Sequence, residues 1–172
     1  MLDGRRCSNV VSIAHAHNGA TEAGRDEGSA LVEMGLVCGI LFAMLFGIIE
    51  FSLALYTYNY VSDAARDGSR YAIVRGSSCS VLTNCSATAA QIQSYVQSLG
   101  YPGMNSANTT VTTTWYSPSA SAPITWTLCG STCNAPGDAV RVKVVYSFPL
   151  SIPFVPKSTL SLQSTSEMVI AN

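Results

Sequence analysis

A chain of 172 residues suffices for one small domain and an anchor. Only 11% of its residues are charged, the net charge is -1 and the mean hydropathy is +0.27, a balance that suits a membrane-attached protein. There is no basic run, so composition argues against a nucleic-acid partner.

Residues 1–28 carry Gly4, Gly19, Gly24 and Gly28, two histidines and mixed charges. They read as a disordered, removable leader. His15 and His17 have no third ligand at a sensible spacing, so no metal site is expected. The small-residue junction Gly28-Ser29 precedes an apolar run instead of following it, unlike the cleavage site of a secretory signal. From Met34 to Ile49 no residue is charged, and from Met34 to Ser62 the only charge is Glu50. At about 1.5 Å per residue such a helix crosses a hydrocarbon core of roughly 30 Å. Backbone polar groups find no water there, so the segment must be helical. The transmembrane half is placed at about 34–58.

Glu33 stands at the mouth of this segment, the fifth residue after the junction. An acid costs up to about 3 kcal/mol at the centre of a membrane helix, so it calls for a partner or a shallow position. Cutting after Gly28 would free an α-amine on Ser29, and such amines titrate near pH 7.7–8. Glu33 of one subunit would then pair with the amine of a neighbour. The plainer reading of Glu33 is an acid at the positive end of the helix dipole. Gly35 and Gly39 share one face and would let another helix approach. Cys38 reads as a small buried apolar residue. Glu50 lies about 25 Å beyond Glu33 along a helix, near the far interface. It is read either as a hydrated interfacial acid or as a contact for a partner helix. Phe51, Tyr56, Tyr58 and Tyr60 follow as an interfacial aromatic belt.

Arg25, Gly28, Ala30, Leu31, Val32, Glu33, Gly47-Ile48-Ile49-Glu50-Phe51, Leu55-Tyr56, Ala64-Ala65-Arg66 and Arg70 together resemble the TadE-like segment, over residues 25–71. That family comprises minor pseudopilins of the tight-adherence (Flp) type IV pilus system. Flp pilins carry an aromatic residue directly after the glutamate, where this chain has Met34. The resemblance implies cleavage between Gly28 and Ser29 by a membrane prepilin peptidase. It also implies partners among sibling pseudopilins, the Flp pilin and the inner-membrane assembly platform. The expected location is the bacterial inner (cytoplasmic) membrane, single-pass, with the C-terminal head extracytoplasmic. Arg5, Arg6 and Arg25 before the span balance Arg66, Arg70 and Arg75 after it. Charge therefore gives no orientation, which rests on the cysteines and the resemblance.

Beyond the belt, Val61, Ala64, Ala65, Tyr71 and Ala72 continue at helical spacing, with Asp63, Arg66, Asp67 and Arg70 on the other face. One helix over 29–75 would be about 70 Å long, with Gly76 as its stop. Cys79 and Cys85, then Cys129 and Cys133, form two close pairs in a polar exported region and read as disulfides. Crossed pairings stay open. A second helix is expected over 86–99, capped by Ser86 and ended by Gly100, with Ile92, Tyr95, Val96 and Leu99 on its buried face. The period then becomes two. Strands are expected at 109–116, 124–129, 139–148 and 159–170. Pro149 to Pro156 reads as an apolar loop, either packed on the head or dipping towards the membrane or a partner, because such proline density rules out a central strand.

The fold class is thus α+β and pilin-like: a leader at 1–28, a long N-terminal helix over 29–75, and a head over 76–172. The head holds one helix and an antiparallel meander of about four strands. No phosphate loop, nucleophile elbow or metal-ligand cluster is present in the sequence, and Asp138 and Glu167 are the only acids after Asp67. No enzymatic activity or cofactor is expected. The competing reading is a signal-anchored extracytoplasmic binding module that is never cut or incorporated into a pilus.

Overall fold

The computed structural model describes residues 23–80, 85–130, 133–151 and 156–171, with side chains from Gly28 onward. The leader histidines and Cys7 lie outside them, as do residues 152–155 of the proline-rich loop. The chain divides into two compact units, Met1–Ala43 and Met44–Asn172. Helix α1, Ala23–Ile73, contributes to both.

The sequence places the start of α1 at Ser29 and leaves 23–28 in the disordered leader. The helix begins at Ala23 instead and runs through Gly28 and Ser29. Arg25 and Glu27 are good helix formers, and acids suit a helix N-terminus. Gly24 and Gly28, at about 1 kcal/mol each, do not break the run.

In the second unit the last turns of α1 pack on a sheet. Val61, Ala64, Ala65, Gly68, Ser69 and Ala72 recur at helical spacing, and all are buried. Their small size brings the helix backbone close to its neighbours. Asp63 and Arg66, and Asp67 and Arg70, pair on the exposed face at 3.6 and 3.8 Å, worth about 0.2–0.5 kcal/mol each. The orphan carbonyls at the end of α1 are taken by distant segments: Ile73 accepts from the Ala171 N–H at 3.2 Å, and Arg75 from the Ala87 N–H at 2.8 Å.

Helix α2 spans Ala89–Ser98. Thr88, not Ser86, caps it: the Thr88 hydroxyl takes the Gln91 N–H while the Gln91 side chain returns to the Thr88 N–H. Such a cap is worth about 1 kcal/mol. Ile92 and Val96 are its buried residues. Gly100, at φ +60°, ends it in the left-handed conformation that favours glycine.

The four strands are β1, Thr109–Pro118; β2, Trp126–Leu128; β3, Ala139–Leu150; and β4, Ser158–Val169. All pairs are antiparallel, and the order is β2-β1-β3-β4. This is not the expected meander: β3 pairs with β1 instead of β2. Strand β2 is too short to seat β3, whereas β1 offers its other edge from Thr109↔Tyr146 to Tyr116↔Ala139. Strand β3 also runs two residues into the proline-rich segment, to Pro149 and Leu150. Its pairing with β1 ends at Tyr146, so Pro149 sits where only β4 is a neighbour. At such an edge a missing N–H costs nothing. Val140, Val142, Val144 and Tyr146 face the core, and each fully buried valine contributes about 1.5–3 kcal/mol. Cys79–Cys85 and Cys129–Cys133 are bonded within their local pairs.

The two acids of the head are both engaged structurally. The Asp138 carboxylate accepts the Ala135 N–H at 3.0 Å in the turn before β3. Glu167 bridges Arg141 at 2.7 Å across β3 and β4. Arg141 also donates to the Tyr116 hydroxyl and lies over its ring. Hydrogen bonding to Glu167 raises the Arg141 pKa above its ordinary value.

Between α1, α2 and the sheet lies a cavity of about 130 Å³ lined by Ala64, Val96, Tyr101, Met104 and Val144, among others. The buried Tyr101 hydroxyl makes no hydrogen bond of acceptable geometry among the described residues, although Asp67 is near enough to act on it. Burial first, and the charges of Asp67 and Asp63 second, push its phenol up to about 12. A raised folded-state pKa favours the neutral phenol. The stabilisation is therefore complete below about pH 10 and is lost as pH rises towards 12. Thermal melts between pH 8 and 11.5 should show a falling midpoint, and Tyr101→Phe should flatten that fall. An identical fall in both proteins would contradict this assignment.

Candidate functional site: the apolar helix and its acids

From Leu31 onward α1 presents apolar side chains outward. Leu31, Met34, Leu36, Ile40, Phe42 and Met44 are each more than half exposed. The most apolar window of the helix has a mean hydropathy of 2.4 and no buried residue. A water-facing surface of this kind is far larger than soluble proteins tolerate. By length and composition the helix is able to cross a membrane as a single-pass anchor.

Polar groups within the run are satisfied internally. Ser52 and Thr57 return their hydroxyls to the carbonyls of Ile48 and Leu53, each at 2.8 Å. The Tyr56 and Tyr60 hydroxyls meet each other, and the Tyr60 ring packs 5.2 Å from that of Tyr101. Tyr60 of the expected belt is thereby in contact with the head.

In the first unit, Gly28-Ser29 lies inside helical backbone. Glu33 is exposed, and no hydrogen bond or ion pair joins it to another described residue. A methyl group added at Gly28, Gly35 or Gly39 would meet nothing within 4 Å. The small-residue face is thus open, as a docking face for another helix would be. Cys38 is a free thiol of intermediate exposure.

In the second unit, Glu50 is only partly exposed. Its carboxylate accepts the backbone N–H of Ser151 at 3.3 Å. This link between α1 and the end of β3 was not legible in the sequence. The only hint was that Glu50 is the sole charge in a long apolar stretch. No group of three or more potential metal ligands occurs among the described residues.

Junction, Glu33 and Glu50 thus fall in order on one unburied apolar helix, with the Ala64-Ala65-Arg66 follow-on packed against the head.

Residues 28–70 match the family model described as TadE-like protein.

The match covers the apolar part of α1 and most of its packed turns, and ends just before Tyr71. It leaves the sheet and α2 outside. No curated protein and no solved structure matches the chain. The TadE-like segment is about a quarter of the chain, and the likeness is confined to it. The resemblance read from the sequence, residues 25–71, agrees with it to within a few residues.

Proposed function

We propose that the protein is a minor pseudopilin of a tight-adherence pilus, made as a precursor and processed by a prepilin peptidase after Gly28. The observation that carries this reading is the TadE-like match over 28–70, which starts at the junction and contains both Glu33 and Glu50 on a helix with no buried apolar window. Mature chains would stack through this helix in the inner membrane. Glu33 would pair with the Ser29 amine of a neighbour, and the open Gly35–Gly39 face would admit a sibling helix. Partners are then sibling pseudopilins, the Flp pilin and the inner-membrane assembly platform. The head acts as a structural or binding module without catalysis or a cofactor.

One observation favours the competing reading of an uncut anchor. Gly28 and Ser29 are helical, and a helical peptide bond must unwind to enter a protease cleft. Intact-mass measurement of the full chain isolated from membranes decides between the two. A mass beginning at Ser29 is expected. A chain that retains Met1 to Gly28 would support the tethered module instead.

A further inference from the structure

We infer that the outward stripe of α1 beside the head, Asp63 to Arg70, is a contact with a second copy of this chain displaced by about three residues along the helix. The inference deepens the proposed stacking of α1 and rests on it.

The last turns of α1 have two sides. Val61, Ala64, Ala65, Gly68, Ser69 and Ala72 are buried in the head. Asn59, Asp63, Arg66 and Arg70 are exposed, and their spacings of four, three and four residues keep them on one face. Asp67 stands at its margin, partly exposed. Leu55 extends the same face into the exposed apolar part of the helix. The face that lipid or a sibling helix would cover therefore runs on along the head.

Its charges alternate in sign. Asp63, Arg66, Asp67 and Arg70 sum to zero, so the stripe favours neither an acidic nor a basic surface. It favours a copy of itself. The two acids are four residues apart, and so are the two bases. In parallel helices at one level, like charges stand opposite each other. A displacement of three residues, about 4.5 Å, sets Asp63 and Asp67 of one copy beside Arg66 and Arg70 of the other at once. Antiparallel helices would match as well, but single-pass anchors inserted the same way run parallel. Within one chain, Arg66 and Arg70 meet Asp63 and Asp67 only at 3.6 and 3.8 Å, with the arginine side chains 63% and 70% exposed. Such pairs leave each guanidinium with donors to spare.

The pair proposed for Glu33 asks for the same displacement. The Ser29 amine lies four positions before Glu33. A helical side chain covers the surface about one position to the N-terminal side of its own Cα, which leaves a displacement of about three. Exposed pairs add little affinity. Their part here is to select one displacement of helix against helix.

The test uses the full chain as isolated from membranes, in phosphatidylcholine vesicles, with donor and acceptor fluorophores on a C-terminal tag of separate copies. Energy transfer reads association. Two double variants are compared, Asp63→Asn with Asp67→Asn and Arg66→Gln with Arg70→Gln. Each alone should associate about tenfold more weakly than the native chain, the size of two exposed pairs. A mixture of the two should recover to within about twofold, because a head-to-tail contact needs acids from one copy and bases from the other. Salt at about 1 M should weaken the native chain as the substitutions do, since it screens exposed charges and not a pair in hydrocarbon. Native-strength association of both variants, together with its loss in Glu33→Ala, would overturn the inference and leave the stacking in place. A mixture as weak as either variant alone would overturn it too. Absence of transfer between native copies would remove the stacking of this chain on itself, and the inference with it.

Discussion

Replacing Gly68 with leucine should lower the stability of the head by about 3 kcal/mol or more, the upper end for overpacking a filled core. A Cβ at this position would lie 2.9 Å from Val96 Cγ2 and 3.1 Å from Val142 Cγ1. One neighbour is on α2 and the other on the central strand, so neither moves without moving its element. The branched tail of leucine would lift α1 off the sheet. That would open the seams at Ala64, Ala65 and Ala72, which are now at most 2% exposed. At roughly 4–8 °C per kcal/mol for a domain of this size, the thermal midpoint should fall by about 12 °C or more. Near-ultraviolet circular dichroism of the detergent-solubilised full chain, which reports on buried Trp115, reads the change. Gly68→Ala should cost much less, because a gain in helix propensity of up to about 1 kcal/mol offsets a shift of a few tenths of an ångström. Equal midpoints for Gly68→Leu and the native chain would show that the close approach of α1 does not carry the fold.

Replacing Glu33 with alanine should reduce co-isolation with sibling pilin-like chains by tenfold or more. Membrane insertion should be unchanged or improved. The change removes an acid from the entrance of an apolar helix, so insertion itself becomes easier. On the proposed pairing, what is lost is the counter-charge for a neighbour's α-amine, since no other acid occurs between Met34 and Ile49. An ammonium left unpaired in hydrocarbon costs about 3 kcal/mol, and a cost of that size is on the order of a hundredfold in an equilibrium. Glu33→Gln keeps the shape and removes the charge, so it should behave as alanine does. The pairing should also weaken above about pH 8, where the α-amine loses its proton. Full recovery of siblings with Glu33→Ala would rule out the ion pair.

Glu33 and Glu50 show how far a sequence reaches. Both were visible as the charges that flank and close an apolar run. For Glu33 the structure adds exposure and no partner among the described residues, so its reading still rests on the junction before it. For Glu50 it adds Ser151, which is distant in the chain. A hydrogen bond to a backbone N–H carries no side-chain signature, because every residue but proline supplies the donor. The same holds for the end of α1, where Ala171 and Ala87 take the last carbonyls. It holds for the sheet order too: the patterns of β1 and β3 identify strands, but alternation does not say which strand lies beside which.

The sequence by itself determined the apolar helix, the buried faces of α2 and β3, and the resemblance over residues 25–71. Those properties are periodic or local, and the physics of burial acts on each residue according to its own side chain. Only the tertiary structure decided the β2-β1-β3-β4 order, the cap at Thr88, the close seat of Gly68 and the bond that ties the end of β3 to Glu50. These depend on which backbones come within reach of one another, and pairwise proximity is a property of the folded chain as a whole.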